Sequence, residues 1–160
     1  MDLPYTYVSE WHIDAPPAAV WRALTEVEEW PRWWPYVRGV STLRRGDPAG
    51  LGAVRRIRWS SRLPYGFTID VECTGVQHER RLRGRSRGAL EGEGLWELWP
   101  EGDATRVRYT WRLDLNTRWM RLAAPVLSGV FRWNHEGVMR GGHDGLVRWL
   151  AEGRGVPVKA

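Results

Sequence analysis

PVLSGVFRWNHEGVMRGGHDGLVRWLAE, residues 125–152, carries the longest helical periodicity in a chain of 160 residues. Leu127, Val130, Phe131 and Val138 recur at helical spacing, Met139, Leu146, Trp149 and Leu150 widen the stripe, and Glu136, Arg140, His143 and Asp144 fall largely opposite. At about 1.5 Å per residue the segment reaches roughly 40 Å, enough to cross a small domain. Almost everything before it reads as strands that need one broad apolar cover, so the helix is expected to lie over a curved sheet. Asn134 interrupts the stripe, and Gly141, Gly142 and Gly145 face the same way. Each glycine costs on the order of 1 kcal/mol of helix stability relative to Ala. Either the helix approaches the sheet closely there or space is left beneath it. Close contact is expected at the C-terminal end, with any ligand nearer Phe131 and Asn134.

Upstream, strands are expected at residues 5–13, 37–45, 52–61, 67–76, 80–87, 89–99 and 105–115, each with one apolar and one charged side. Phe67, Ile69, Val71 and Cys73 alternate with Thr68, Asp70, Glu72 and Thr74, the mark of a half-buried antiparallel sheet. After the first strand, Asp14 is placed as an N-cap ahead of Ala15-Pro16-Pro17, opening a short helix with Val20, Trp21 and Leu24 inward. Residues 28–36 hold Trp30-Pro31-Arg32-Trp33-Trp34-Pro35, a second short helix ended by Pro35. Its tryptophans read either as a gate over a cavity or as a hydrophobic plug, and the weight of buried aromatics in core energetics favours the plug. Pro100-Glu101-Gly102-Asp103 is read as a turn. Asn116 or Thr117 is expected to cap a short helix over residues 118–123, with the long helix restarting at Pro125 after a kink. The tail from Gly153 is expected to fray.

The length suits one domain over residues 1–160. A single cysteine, Cys73, excludes an intramolecular disulfide, and no apolar run approaches the ~20 residues of a membrane span. No basic-then-apolar signal segment opens the chain, so a soluble, cytoplasmic setting is expected. Nothing in the sequence fixes an oligomeric state. The net charge of +5 raises nucleic acid as a partner, almost all of it through arginine, since Lys159 is the only lysine. The arrangement argues otherwise. Arg56 and Arg58 precede a strand with Asp70 and Glu72, and Arg83, Arg85 and Arg87 precede one with Glu91, Glu93 and Glu97. Opposite charges on neighbouring hairpin strands pair across the sheet, so a solvated ladder is expected rather than a phosphate track.

The order of one strand, two short helices, about six further antiparallel strands and a long C-terminal helix resembles the START-like helix-grip proteins (SRPBCC), in particular the polyketide cyclase/dehydratase group. The resemblance is carried by Ile13-Asp14-Ala15-Pro16-Pro17 followed by Val20-Trp21-Arg22-Ala23-Leu24, by residues 30–35, and by Phe131-Arg132-Trp133-Asn134-His135 with Val138-Met139. It covers nearly the whole chain. It implies an α+β fold, a curved antiparallel sheet of about seven strands gripping the helix. Between them it implies an elongated cavity for apolar ligands such as lipids, sterols or polyketides. Some such proteins are cyclases or aromatases and many have no known reaction, so the family name is not an activity.

If the apolar faces line such a cavity, the ligand-binding residues expected are Trp11, Trp59, Phe67, Ile69, Val71, Trp96, Tyr109 and Trp111, roofed by Leu127, Phe131, Asn134 and Val138. A hydrophobic small molecule is the expected partner, with no nucleic acid, cofactor or metal. Asp70, Glu72, Glu91, Glu93 and Glu97 share the charged phase, so no two-carboxylate site is expected inside. His135-Glu136 lacks a second histidine at position 139, where Met139 stands, and no third ligand joins His135 and His143. Cys73 on an apolar face reads as a small hydrophobe. If the protein is a cyclase, Tyr109 and Asn134 are the expected donors to a ketone oxygen. The alternatives are a core ring whose hydroxyl reaches an edge for Tyr109 and a helix amide bonded to nearby backbone for Asn134.

Overall fold

The computed structural model describes residues 5–64, 66–114 and 118–153, without the side chains of residues 118–120, 124 and 127. Period-two alternation yields seven strands: β1 (Thr6–Ile13), β2 (Val37–Arg44), β3 (Val54–Trp59), β4 (Phe67–Gln77), β5 (Arg81–Gly88), β6 (Gly92–Glu101) and β7 (Ala104–Leu113). They form one antiparallel sheet ordered β1-β7-β6-β5-β4-β3-β2. Helices α1 (Pro17–Thr25) and α2 (Trp30–Trp33), joined by a 3-10 turn at Val27–Glu29, carry the chain from one sheet edge to the other, and α3 (Arg118–Ala151) closes the fold. The result is the expected helix-grip arrangement of sheet and long C-terminal helix.

Several local expectations are corrected. Pro16, not Asp14, is the N-cap of α1, with no side-chain cap. Pro17 at the first helical position removes one of the N–H groups that a cap would otherwise satisfy. Pro100 and Glu101 belong to β6, and the hairpin turns on Gly102 at φ 61°, a left-handed conformation suited to glycine. Helix α3 does not restart at Pro125 but runs through it. Proline removes one rung and crowds the preceding turn, a local cost of about 3 kcal/mol that a helix of 34 residues survives. Leu115, the caps at Asn116 and Thr117, and the tail beyond Gly153 lie outside the described residues.

The outer face of the sheet carries the charge ladder. Arg56 meets both carboxylate oxygens of Asp70, at 2.8 and 3.0 Å, Arg83 meets Glu93 at 2.6 Å, and Arg81 meets Glu97 at 3.7 Å. Glu72 pairs with Arg44 from β2 instead of Arg58, and Arg85 reaches Asp114 at 2.7 Å. Such half-exposed pairs fix strand register more than they stabilise, each worth roughly 0 to 1 kcal/mol.

The inner face builds the core around tryptophan. Trp30, Trp33 and Trp34 are all buried, Trp34 to 1% exposure, so the cluster packs as core, and Trp30 and Trp34 also border the space between sheet and helix. The Trp34 ring meets Trp30 at 5.2 Å, Trp33 at 5.5 Å, Trp59 at 5.1 Å and Trp11 at 5.9 Å between centroids. Its indole N–H donates to the Val138 carbonyl on α3 at 2.8 Å. The helical glycines explain how α3 comes so near. A Cβ on Gly142 would stand 2.5 Å from the Trp34 ring, one on Gly141 2.9 Å from Tyr36, and one on Gly145 would overlap the backbone carbonyl of Trp33. All three therefore mark close contact, not open space.

Gly145→Ala should lower stability in urea unfolding by about 3 kcal/mol, as overpacking against a rigid carbonyl does. Gly129→Ala, where a Cβ meets nothing within 4 Å, should raise it by up to about 1 kcal/mol through helix propensity. Equal effects at the two positions would contradict the close seat.

Candidate functional site

Where the glycines end, α3 stands away from the sheet, and a cavity of about 1460 Å³ opens between them. Inward residues of successive strands form its wall: Tyr7 on β1, Ile57 and Trp59 on β3, Phe67, Ile69, Val71 and Cys73 on β4, Leu82 and Ser86 on β5, Trp96 on β6, and Tyr109, Trp111 and Leu113 on β7. Phe131, Asn134, His135 and Val138 of α3 make the roof. Ten expected ligand-site residues thus share this one surface: Trp59, Phe67, Ile69, Val71, Trp96, Tyr109, Trp111, Phe131, Asn134 and Val138.

Trp11 is not among the residues described as lining it. It has the correct strand phase, but at the plugged end of the fold, where its ring packs on Trp96 at 5.3 Å and against His143 at 6.1 Å. Alternation tells which face a residue is on, not how far along the sheet the core gives way to space. The Leu127 side chain lies outside the described residues.

Three polar rings inside, Tyr7, Tyr109 and His135, are neutral. Tyr7 and Tyr109 flank the His135 ring, with centroids 5.2 and 6.3 Å away and near-parallel planes. Burial lowers the His135 pKa to about 4, so the imidazole is uncharged at neutral pH. Burial also pushes the Tyr109 hydroxyl well above its ordinary range, and raises Tyr7 against the opposing pull of Arg132. The Cys73 thiol is pushed up by burial too, which suits its reading as a small hydrophobe rather than a nucleophile. The Tyr7 hydroxyl and the Trp59 indole N–H are buried with no hydrogen-bond partner among the described residues. Buried donors of this kind are ordinarily satisfied, so they are the groups a guest would meet first. Gly94 makes room for Tyr109, since a Cβ there would stand 2.7 Å from its hydroxyl.

Asn134 is engaged. Its side-chain oxygen accepts the backbone N–H of Arg62 at 2.9 Å, tying the β3–β4 connection to α3. This is the backbone-bonded amide that stands as the alternative to a ligand donor.

Two features escape the reading of the sequence. His135 enters it as a rejected metal ligand and as part of the Phe131–His135 motif, not as a cavity residue, although it lies four residues after Phe131 and so shares the roof. Arg55 has the phase of Ile57 and Trp59 and points inward at the cavity's polar end. There its Nε donates to Glu28 at 2.7 Å, and the Thr42 hydroxyl donates to the same oxygen at 2.7 Å. Burial disfavours the Glu28 charge, but these two hydrogen bonds, a backbone hydrogen bond and the Arg55 charge together hold the carboxyl below its usual range. Among the described residues, no group of three His, Cys, Asp or Glu side chains is placed to hold a metal ion.

Residues 6–150 match the family model described as polyketide cyclase / dehydrase and lipid transport. Solved structures share the fold at low identity. A Thermus thermophilus protein is 22% identical, with TM-score 0.70 and 90% of this chain and 98% of that chain covered. The Zhui aromatase/cyclase from a Streptomyces species is 15% identical, with TM-score 0.70 and coverage of 89% and 91%. A START superfamily protein from Mycobacterium smegmatis is 10% identical, with TM-score 0.73 and coverage of 92% and 97%. No curated protein matches the chain.

The His135 environment gives a pH dependence with a definite sign. Its folded pKa, about 4, lies below the ordinary 6.5. Between those values the unfolded chain binds a proton that the folded chain refuses, so the folded state is at no disadvantage above pH 6.5 and loses stability as pH falls toward 4, on the order of 1 kcal/mol per pH unit. In urea unfolding at pH 7 and pH 5, the wild type should lose more stability than His135→Gln. Equal losses would contradict a buried neutral imidazole.

Proposed function

The chain belongs to the polyketide cyclase / dehydrase and lipid transport family, and from that membership we propose that it binds and carries a hydrophobic, largely aromatic small molecule between sheet and helix. The observation that carries this reading is the cavity itself, about 1460 Å³ walled by aromatic and aliphatic side chains. That volume exceeds the roughly 300–1,000 Å³ of ordinary small-molecule sites, room for an extended or multi-ring guest. The character of its polar groups narrows the guest further. A neutral imidazole, protonated tyrosines and an unpartnered indole N–H suit neutral oxygens such as ketones, phenols and alcohols. Of the arginines that line the wall, Arg55 is held by Glu28, Arg22 by Glu26 and Arg83 by Glu93, with the exposed Arg45 beside them. At the first three, a free carboxylate would have to displace an existing ion pair.

A second reading, ring closure of a polyketide-like chain, draws on the His135 imidazole set between Tyr7 and Tyr109. A neutral imidazole can accept a proton from the acidic methylene between two ketones, and a tyrosine hydroxyl can donate to the enolate oxygen that forms. Confinement of a reactive chain in one folded conformer would supply the rest of the rate. Asn134, with its oxygen committed to Arg62, serves this reading by holding the roof in place.

Native mass spectrometry of the purified protein, with analysis of an organic extract, should show an apolar guest in stoichiometric amount. Tyr7→Phe should weaken binding of a hydroxylated aromatic guest by about tenfold, the loss of one buried hydrogen bond. Absence of any bound or bindable apolar molecule would overturn the carrier reading. A poly-ketone that cyclises identically with wild type, His135→Phe and buffer would overturn the cyclase reading alone.

A further inference from the structure

The N-terminal half of α3 has two opposite faces. At roughly 100° per residue, Phe131, Asn134, His135 and Val138 turn to the cavity, while Leu122, Val126, Val130 and Trp133 fall together on the far side. These four are turned to water, with exposures of 82%, 80%, 42% and 49%. Scattered exposed apolar residues are common, but an aligned run on one helix face marks a surface that meets a partner.

Charge indicates which partner. Residues 115–135 contain no aspartate or glutamate, but do contain Arg118, Arg121 and Arg132. Arg132 is exposed with its guanidinium 5.8 Å from the Tyr7 ring, and the guanidinium of Arg62, also exposed, lies over the Trp133 ring at 4.6 Å. An apolar stripe with an interfacial tryptophan under Arg62, on a helix segment that carries arginines and no anion before Glu136, complements an anionic lipid surface. The apolar side chains enter the boundary between headgroups and acyl chains, and the arginines face the lipid phosphates. No described helix is long and apolar enough to cross a membrane, so the contact is one of lying on the surface. A second copy of the chain fits less well. Two-fold pairing through this stripe would bring Arg62 and Arg132 of each copy toward their counterparts, setting like charges together in a drying interface.

We propose that residues 122–133 of α3 dock the domain on an anionic membrane surface, with the cavity on the opposite side of the docked helix. The inference stands on the outer face of α3 and does not depend on what the cavity holds.

The test is co-sedimentation of the full chain with vesicles of phosphatidylcholine alone or of equal parts phosphatidylcholine and phosphatidylserine. Binding is expected only to the mixed vesicles and should be lost at about 0.5 M salt, where surface charges are screened within a few ångströms. Leu122→Gln combined with Val126→Gln, at two exposed positions and with a good helix former, should fold normally by circular dichroism. It should partition at least about tenfold less, through lost apolar burial. Equal partition of wild type and double variant, or no binding to either vesicle, would overturn the proposal. So would a dimer in light scattering that the double variant dissociates, because a second copy would then cover the stripe. Uptake of Nile red measured without vesicles reports on the cavity separately. Its failure would count against the carrier reading and leave membrane docking standing.

Discussion

The architecture depends on one contact, the seating of α3 on Trp33 and Trp34. The Trp34 indole donates to the Val138 carbonyl at 2.8 Å, and Gly142 and Gly145 remove the side chains that would keep ring and backbone apart. A helix that carries these glycines gives up propensity, on the order of 1 kcal/mol for each. What it gains is a fixed depth at one end. With that end pinned, Phe131 further along packs on the cluster of Tyr5, Tyr7 and Leu113, and the cavity opens beneath Phe131, Asn134, His135 and Val138.

Charge is sorted just as strictly. On the outer face, carboxylates and guanidiniums pair across strands. Inside, Arg55 and Glu28 neutralise one another at the polar end, and the inward strand positions beyond them are mostly aromatic or aliphatic. Desolvation acts on the buried rings in the same sense, favouring the uncharged form: His135 stays unprotonated and Tyr109 stays protonated. A chamber with donors and acceptors but little net charge discriminates by shape and by neutral hydrogen bonds. That is consistent with a family whose description joins polyketide chemistry and lipid transport.

Much of this is legible in the residues because period and phase are strong signals. The alternation in residues 67–76 places Ile69 and Val71 inward and Asp70 and Glu72 outward. The apolar spacing of the last helix places Phe131 and Val138 toward the sheet, and the glycines at 141, 142 and 145 mark contact as expected. What escapes depends on distances along elements or on contacts between segments far apart in sequence. Trp11 shares the face of Tyr7, yet it packs with Trp34 and Trp96 because β1 crosses from cavity to plug between them. The Asn134 amide meets Arg62, a partner 72 positions away that no local pattern announces. Arg55 is different, since its phase already points inward, but the arginines around it draw attention to the outer ladder.

The central claim is that the space under α3 is a binding chamber for apolar, neutral guests and not a packing defect. Isothermal titration calorimetry of naphthol, a neutral aromatic with one hydroxyl, at several temperatures addresses it directly. Saturable uptake with a clearly negative heat-capacity change, the mark of apolar surface leaving water, is expected. Heats indistinguishable from dilution, or binding with a heat-capacity change near zero, would contradict it.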